Sequence, residues 1–313
     1  MTAATKVLTP ADHVMTRGDY ALYAVVVFAW GTSWIGLRLQ LGVVAPEVSI
    51  LWRYLMAAAI MLLWARLAGV NLIYPAQDHV RFFLTGVFAF SMNFVLMFYA
   101  GYTVTSGLLA VVFSMTAMIN PLLALIVFGE RPSARLIGGA VLGVTGVGLM
   151  FWPEIFGSGF SREMLAGLSL AVLATLLFAI GNTVSTKNHL RKVPVVAANA
   201  WGMVYGCLTL LVASLARGHD FIIDPTVGYI GSLIWLAIVS SVIAFASYVT
   251  LIGRIGAGRA GYATVLFPVI ALAISTVFED YTWTLTAGAG FVCVILGNLL
   301  VLGPRRPRVP LSR

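Results

Sequence analysis

The chain has 313 residues, of which 60% are hydrophobic and 10% are charged, and its formal net charge is +8. A soluble domain carries about 25% charged residues and about 45–50% apolar ones, so this composition excludes an ordinary soluble enzyme and indicates a polytopic membrane protein. Ten spans of about 20 residues would use about 200 positions, which leaves little chain for a soluble domain.

Runs without charged residues predict ten transmembrane helices after a polar N-terminal tail, residues 1–19. The first run, 20–37, lacks a clear cleavage site after it, so we expect a retained span rather than a signal peptide. The run 82–129 is too long for one helix, and the turn-like segment 101–107 is expected to divide it. The remaining runs are 48–65 (which contains Arg53), 136–153, 164–186, 193–216, 225–253, 260–278 and 281–304, followed by a basic tail, 305–313.

The basic residues of the loops predict the orientation of these spans. With the N-terminus in the cytoplasm, cytoplasmic segments carry 15 Lys and Arg residues, and external segments carry only Arg162 and Arg217. The positive-inside rule therefore predicts a multi-pass protein of the cytoplasmic (inner) membrane with both termini in the cytoplasm. Since topology accounts for the net charge, we expect the lipid bilayer as a partner and no nucleic acid.

The two halves of the chain resemble each other at a nearly constant offset. Because each half holds five spans, an odd number, the second half must enter the membrane from the opposite side. The pattern predicts an all-α integral membrane protein of ten transmembrane helices, built as two inverted five-helix repeats, 20–153 and 164–304. The matches, at offsets of 147–151, are FAWGTS (28–33) with FAIGNT (178–183), Pro46 with Pro194, Trp52 with Trp201, Pro121 with Pro268, Glu130 with Glu279, and Gly139 and Gly146 with Gly290 and Gly297.

Several of these segments together resemble the EamA-type ten-helix members of the drug/metabolite transporter superfamily. They are WGTSWIG (30–36), WRYLMAA (52–58), GER (129–131) after the span-4 proline, and FP with FED (267–268 and 278–280) in span 9. The resemblance covers about residues 20–304. It implies a central cavity lined mainly by spans 1, 3, 4, 6, 8 and 9, and export of amino acids or toxic metabolites. Aromatic amino acid exporters are the nearest subgroup that it suggests.

No pattern in the sequence indicates catalysis, a cofactor or a metal site. The eleven acidic residues and four histidines all fall in loops or near span ends, whereas intramembrane proton relays and metal ligands require them inside the spans. There is no Gly-rich phosphate loop of the Walker type, so ATP is not expected to drive transport.

Arg38 and Arg53 are the only charged residues within the apolar spans. Arg53 either binds a substrate carboxylate or serves a structural role, such as snorkelling to the surface or bonding a helix end. Neutral polar and aromatic side chains in the spans either line a binding site or hold helices together. The candidate substrate-binding residues are Trp30, Thr32, Ser33, Arg53, Ser91, Asn93, Ser114, Asn120, Asn182, Thr183, Phe245, Tyr248 and Thr264.

Pro121 and Pro268 sit inside spans 4 and 9 at equivalent positions, and each removes a backbone hydrogen bond. We expect them to act as twin hinges. Glycine-rich faces at 138–148 and 288–297 permit close helix approach in spans 5 and 10. We expect these faces to pack the two halves together, with a homodimer as the alternative.

The predicted function is therefore secondary transport. The leading interpretation is export of amino acids, aromatic or otherwise apolar, or of related small metabolites, by alternating access through a central cavity. The alternatives are a carrier of drugs or toxic compounds, a carrier of phosphorylated metabolites, and, from another class, a non-transporting membrane scaffold or an intramembrane enzyme.

Overall fold

The computed structural model describes residues 15–129, 133–152 and 162–302, and all regular structure within them is helical. Within these ranges, nine helices are long and apolar enough to cross a membrane, and α5, with 17 residues, is a shorter apolar helix. The all-α ten-helix prediction is confirmed. The helices are α1 (Arg17–Arg38), α2 (Pro46–Leu67), α3 (Ala76–Ala100), α4 (Ser106–Ser114 and Thr116–Phe128), α5 (Ala134–Met150), α6 (Arg162–Leu190), α7 (Val195–Ala216), α8 (Val227–Ile255), α9 (Ala263–Phe278) and α10 (Leu285–Leu302).

Local signals in the sequence set several helix ends. Thr16 caps α1 in a capping box, since its hydroxyl accepts from the Asp19 N–H while the Asp19 carboxylate accepts from the Thr16 N–H at 2.8 Å. Pro46 occupies the first position of α2, where its missing N–H costs no helix bond. Gly129 ends α4 with φ of 70°, a left-handed conformation that glycine adopts without strain. Glu130, Arg131 and the basic tail lie outside the described residues.

The contacts between helices follow an approximate two-fold axis that relates the first half of the chain to the second. α2 packs on α7 and α5 packs on α10, and such an axis maps each of these pairs onto itself. The same axis relates α1 to α6, α3 to α8 and α4 to α9. The contact between α1 and α9 is accordingly repeated between α6 and α4, and the contact between α3 and α6 is repeated between α8 and α1. Each half therefore completes its packing only against the other half, so the two repeats form one bundle.

The glycine faces of α5 and α10 pack against each other within the chain. A Cβ atom on Gly146 would lie 2.5 Å from the carbonyl oxygen of Gly290, and one on Gly297 would lie 2.7 Å from the carbonyl oxygen of Gly139. Backbones this close leave no room for a side chain. These glycine faces therefore pack the two halves together, as expected. A homodimer through the same faces stays a prediction.

Both halves interrupt their α-helices at equivalent places. Residues Gly86–Met92 of α3 and Trp235–Ile243 of α8 form π-helical segments, with an offset of 149 between their starts. π-Helical turns are rare in proteins and occur frequently at functional sites. Side chains of both segments line the same central cavity.

The proline-containing helices are interrupted in the same manner. A turn at Met115 divides α4, and a turn at Tyr262 precedes α9; both residues have φ and ψ near −60° and −15°. Each turn lies six residues before its proline, Pro121 or Pro268. The observed breaks support hinges in these helices, and the hinge role itself stays a proposal.

Large apolar side chains cover the outside of the bundle. On α5, for example, Ile137, Val141 and Val144 are each more than half exposed. A soluble protein rarely exposes so many apolar side chains on one surface, whereas the hydrocarbon of a bilayer favours them.

Candidate functional site

A central cavity of about 320 Å³ lies between the two halves. Among the described residues, its lining comes from α1, α2, α3, α4, α6, α7, α8 and α9, with none from α5 or α10. The family resemblance implied spans 1, 3, 4, 6, 8 and 9; the structure adds α2 and α7. The volume falls in the range of about 300–1,000 Å³ that is usual for small-molecule sites.

The structure brings eight of the thirteen sequence candidates together in this cavity and places five elsewhere. The eight are Trp30, Ser33, Arg53, Asn120, Asn182, Phe245, Tyr248 and Thr264. The five are Thr32, Ser91, Asn93, Ser114 and Thr183.

Two of these five make hydrogen bonds between helices. The Thr32 hydroxyl donates to the Phe28 carbonyl at 2.8 Å and accepts from the Trp235 indole at 3.1 Å, which joins α1 to α8. The Ser114 hydroxyl accepts from the Asn298 amide at 3.2 Å, which joins α4 to α10. In both cases the polar atom already has a structural partner.

The other three residues are packed within the helices. The Ser91 hydroxyl donates to the Gly86 carbonyl at 3.1 Å, and the Thr183 hydroxyl donates to the Ala179 carbonyl at 2.9 Å. Asn93 is fully buried, and its amide has no hydrogen-bond partner within the described part of the chain. None of the three contributes to the cavity lining.

Sequence reasoning did not select several lining residues that the structure reveals. Asn199 is one, and its signal was a lone amide in the first turns of an otherwise apolar span. Tyr54 directly follows Arg53, and Phe178 belongs to the repeated FAIGNT segment. The remaining lining residues outside the candidate set are Trp34, Thr85, Ala89, Phe90, Phe94, Phe113, Thr116, Ser185, Val195, Met203, Ser240, Ser241 and Phe267.

Arg53 is the single charged side chain among the described residues that line the cavity. It is buried, its Nε donates to the Ser241 hydroxyl at 3.1 Å, and that hydroxyl donates onward to the Leu236 carbonyl at 2.8 Å. Its guanidinium carbon lies 4.7 Å from the Phe94 ring centre and 5.1 Å from that of Tyr54. Both rings stabilise the cation through their π faces, and no carboxylate of the described residues forms an ion pair with it.

The π-helical segment of α8 explains the orientation of this arginine. In a π-turn the i−4 hydrogen-bond pattern is displaced, and the Ser241 hydroxyl bonds the carbonyl five residues earlier. The hydroxyl retains lone pairs and accepts from the Arg53 Nε. The remaining donors of the guanidinium, on Nη1 and Nη2, make no bond within the described residues and are available to a ligand.

Ten of the 24 described residues that line the cavity are aromatic. Trp30 packs on Tyr248 at 5.0 Å between ring centres, and Trp34 packs on Phe113 at 5.3 Å. Phe113 in turn lies 4.7 Å from Phe178. Such rings accept apolar or aromatic groups through stacked and edge-on contacts.

The polar groups in the rest of the lining are neutral. The hydroxyls of Ser33, Thr85 and Thr264 already donate to helix carbonyls of their own chain segments, at 2.7–2.9 Å. The Oδ1 atom of Asn120 is buried without a partner in the described structure. These groups accept hydrogen bonds and supply no countercharge to a cation.

The cavity lies closer to one end of the bundle, the end where α1 begins, which we name the Arg17 face. Val195, the first residue of α7, and Thr264, the second of α9, belong to the lining at this end. At the other end, the Arg38 face, every lining residue lies at least one helical turn from the end of its helix; the nearest is Trp34 of α1.

One ion pair and two hydrogen bonds join the ends of α1, α3, α4 and α9 at the Arg38 face. Arg38 lies 3.5 Å from the Glu279 carboxylate and donates to the Gly101 carbonyl, and Glu279 accepts from the Ser106 N–H at 3.0 Å. Arg38 and Glu279 also line a separate cleft of about 760 Å³, which shares no lining residue with the central cavity. The structure thus has its cavity closed toward the Arg38 face.

Other ion pairs join neighbouring helices at both ends. At the Arg38 face, the buried Glu47 carboxylate of α2 pairs with Arg217, and the Tyr99 hydroxyl donates to it at 3.2 Å. At the Arg17 face, Asp78 of α3 pairs with Arg191 beyond α6 at 3.3 Å. Asp19 of α1 likewise pairs with Arg254 of α8, at 3.2 Å. None of these carboxylates lines the cavity.

Comparisons with known proteins identify similar sequences in one transporter family and a similar fold in a solved structure. The model of the EamA-like transporter family matches residues 18–152 and 165–303. The chain is 26% identical over 295 residues to an Escherichia coli protein named "Probable amino-acid metabolite efflux pump", covering 90% of this chain and 94% of that one. It is 23% identical over 284 residues to the Salmonella typhimurium protein PagO, covering 91% and 92%. A solved crystal structure aligns with a TM-score of 0.64 at 16% identity, covering 91% of this chain and 96% of that chain, which shows the fold.

Proposed function

We propose a function on the premise that the chain belongs to the EamA-like transporter family: it is a secondary transporter that exports amino acids, aromatic or otherwise apolar, or related small carboxylate metabolites. The family and the apolar helices make it a multi-pass membrane protein of transporter type. The substrate class, the direction and the membrane are our proposals. We assign the chain no catalytic reaction.

The observation that carries the proposal is the isolated cation in the cavity. A buried guanidinium without a carboxylate partner is costly, and a ligand carboxylate would supply the missing charge. The free Nη1 and Nη2 donors of Arg53 match a carboxylate in a two-point contact. The aromatic wall formed by Trp34, Phe113 and Phe178 would receive the apolar part of the same ligand.

The closed Arg38 face supports alternating access. In this structure the cavity lies near the Arg17 face. If the two inverted halves exchanged the arrangements of their equivalent helices, the cavity would instead face the Arg38 side. The turns at Met115 and Tyr262, each followed by a proline, are the proposed places of bending. Because proline leaves a carbonyl without its helix donor, bending there breaks few hydrogen bonds.

A carrier of phosphorylated metabolites fits the cavity less well. A phosphate group carries more negative charge than a carboxylate, and its sites usually gather several Lys or Arg side chains. The described lining offers only Arg53. The cavity could hold an uncharged drug by size, but such a ligand would leave the Arg53 charge without a partner.

Replacement of Arg53 tests the proposal directly. In proteoliposomes with the purified chain, counterflow of a panel of labelled amino acids should identify a substrate. Arg53→Gln should then raise its half-saturating concentration by about 100-fold, since truncation of a buried charged contact costs about 2–5 kcal/mol. Arg53→Lys should retain only part of the affinity for the substrate, because an ammonium group lacks the planar fork of donors that a guanidinium presents.

Arg66→Gln is the matched control, since Arg66 is exposed at the other end of the same helix. It should transport like the unaltered chain. If Arg53→Gln loses thermal stability but keeps transport per folded molecule, the arginine is structural and the proposal is wrong.

The proposed location is the cytoplasmic (inner) membrane, with both termini and the Arg17 face in the cytoplasm. The basis is the excess of Lys and Arg in the loops of that face. A cysteine placed at Lys187 should escape an impermeant thiol reagent in intact cells, whereas one at Asp220, in the loop between α7 and α8, should react. Strong external labelling at Lys187 would contradict the orientation.

A further inference from the structure

The net charge of the cavity indicates which substrates it binds best. This inference rests on the function proposed above. Arg53 contributes one positive charge, and the described lining contributes no negative one. A zwitterionic amino acid would pair its carboxylate with Arg53 and bring in an ammonium group. The loaded cavity would then keep a net charge of +1.

An ammonium group would find only neutral partners in this cavity. The acceptors available to it are hydroxyls such as those of Ser33, Thr85 and Thr264 and the amide oxygens of Asn120, Asn182 and Asn199. No carboxylate of the described residues belongs to the lining, and those of Asp19, Glu47, Asp78 and Glu279 form ion pairs at the two faces. Neutral dipoles compensate a buried charge only in part.

Alternating access increases this cost. During the change of access the cavity must close on both sides inside the bilayer, where an uncompensated charge is most expensive. A ligand with one carboxylate and no ammonium would neutralise Arg53 and leave the closed cavity without net charge. A neutral N–H on the same ligand could still donate to the Asn120 Oδ1 atom, which is buried without a partner.

We propose that the preferred substrates are monoanionic carboxylates with an apolar or aromatic body and no free ammonium group, such as N-acylated amino acids. The structural basis, among the residues that the structure describes, is the combination of one arginine without an ion pair, an aromatic wall and a lining without acidic side chains. Unmodified zwitterionic amino acids are the weaker ligands of the same site.

Matched ligands test this preference in proteoliposomes that contain the purified full chain. Counterflow is measured with labelled phenylalanine, N-acetylphenylalanine and N,N-dimethylphenylalanine. The last compound carries added bulk on nitrogen and keeps the positive charge, so it separates charge from size. N-acetylphenylalanine should half-saturate at a concentration at least about tenfold below those of the two zwitterions, a modest share of the cost of a buried unpaired charge. In Arg53→Gln this preference should disappear or reverse, because the neutral cavity then holds a zwitterion without net charge and N-acetylphenylalanine with one uncompensated negative charge.

The outcomes separate this inference from the proposed function. If phenylalanine is transported as well as N-acetylphenylalanine, or better, the inference is overturned and the transporter stands. If N-acetylphenylalanine is preferred equally in Arg53→Gln, the preference comes from the acyl group and the inference again fails. If no carboxylate of the panel shows counterflow above protein-free liposomes, the proposed function fails as well.

Discussion

The two halves of the bundle share one scaffold and differ at one decisive position. Arg53 of α2 corresponds to Gly202 of α7, at the offset of 149 that relates Trp52 to Trp201. In the first half the arginine reaches Ser241 in the π-segment of α8. In the second half the glycine leaves room for the Phe90 ring, which a Cβ atom at position 202 would approach to 2.9 Å.

This difference shows how a repeated fold acquires a single binding group. Strict repetition would place a cation on each side of the cavity or on neither. Replacement of one copy by glycine leaves one charge and fills the equivalent space with an aromatic ring. The repeat thus supplies the framework, and the departure from it supplies the recognition chemistry.

The largest expected effect concerns the close approach of α3 to α7 at Gly86, whose equivalent position in the second half is Trp235. A Cβ atom on Gly86 would lie 2.6 Å from the Gly202 carbonyl oxygen. Gly86→Ala should therefore lower the free energy of unfolding by about 2–3 kcal/mol through overpacking. Denaturant titration in detergent measures it. The control is Gly148→Ala on α5, where no atom lies within 4 Å of the added methyl; equal stability of the two variants would refute the close approach.

A smaller effect should separate two equivalent serines. Ser241 and Ser91 both bond the carbonyl five residues earlier, but only Ser241 also accepts from Arg53. Ser241→Ala should raise the half-saturating substrate concentration about tenfold by releasing the guanidinium, whereas Ser91→Ala should leave it unchanged. Ser241→Thr retains the hydroxyl and should restore most of the affinity. A rise of the same size in Ser91→Ala would mean that the π-segments act only through stability.

The paired prolines should give opposite shifts of smaller size. Pro121→Ala and Pro268→Ala each restore a helix bond in one of two oppositely inserted helices, so they should bias access in opposite directions. Cysteines at Ser185 in the cavity and at Thr105 in the Arg38-face cleft report the two states by their labelling rates. Identical shifts in both variants, or no shift with transport retained, would show that the prolines are tolerated packing features.

The smallest effect should come from the ion pair at the Arg38 face. Glu279→Gln weakens the contact of Glu279 with Arg38, whose side chain is 45% exposed, so the change in the closed state should stay within about 1 kcal/mol. Labelling at Thr105 should increase modestly. Asp78→Asn, at the opposite face, is the matched comparison and should leave Thr105 labelling unaltered; an increase there too would point to general loosening.

The scaffold could be predicted from the sequence because each helix carries its own signal. Charge-free runs and the turn-like segment 101–107 located the spans, and the nearly constant offset between the halves predicted the inverted repeat. The cavity was less predictable. Arg53 and Asn120 were selected because polar residues are conspicuous in apolar spans, but Ser114 looked equally suitable and instead bonds Asn298 of α10.

The sequence by itself determined the number of helices, the inverted repeat and the presence of an arginine inside an apolar span, since these depend on local composition and on order along the chain. Only the tertiary structure decided that Asn199 and Phe178 face the cavity and that Thr32 and Ser91 do not. A helix exposes residues on all its faces, and its own sequence does not state which face meets the centre of the bundle. The π-helical segments of α3 and α8 alter that facing locally, and they were not predicted from the sequence.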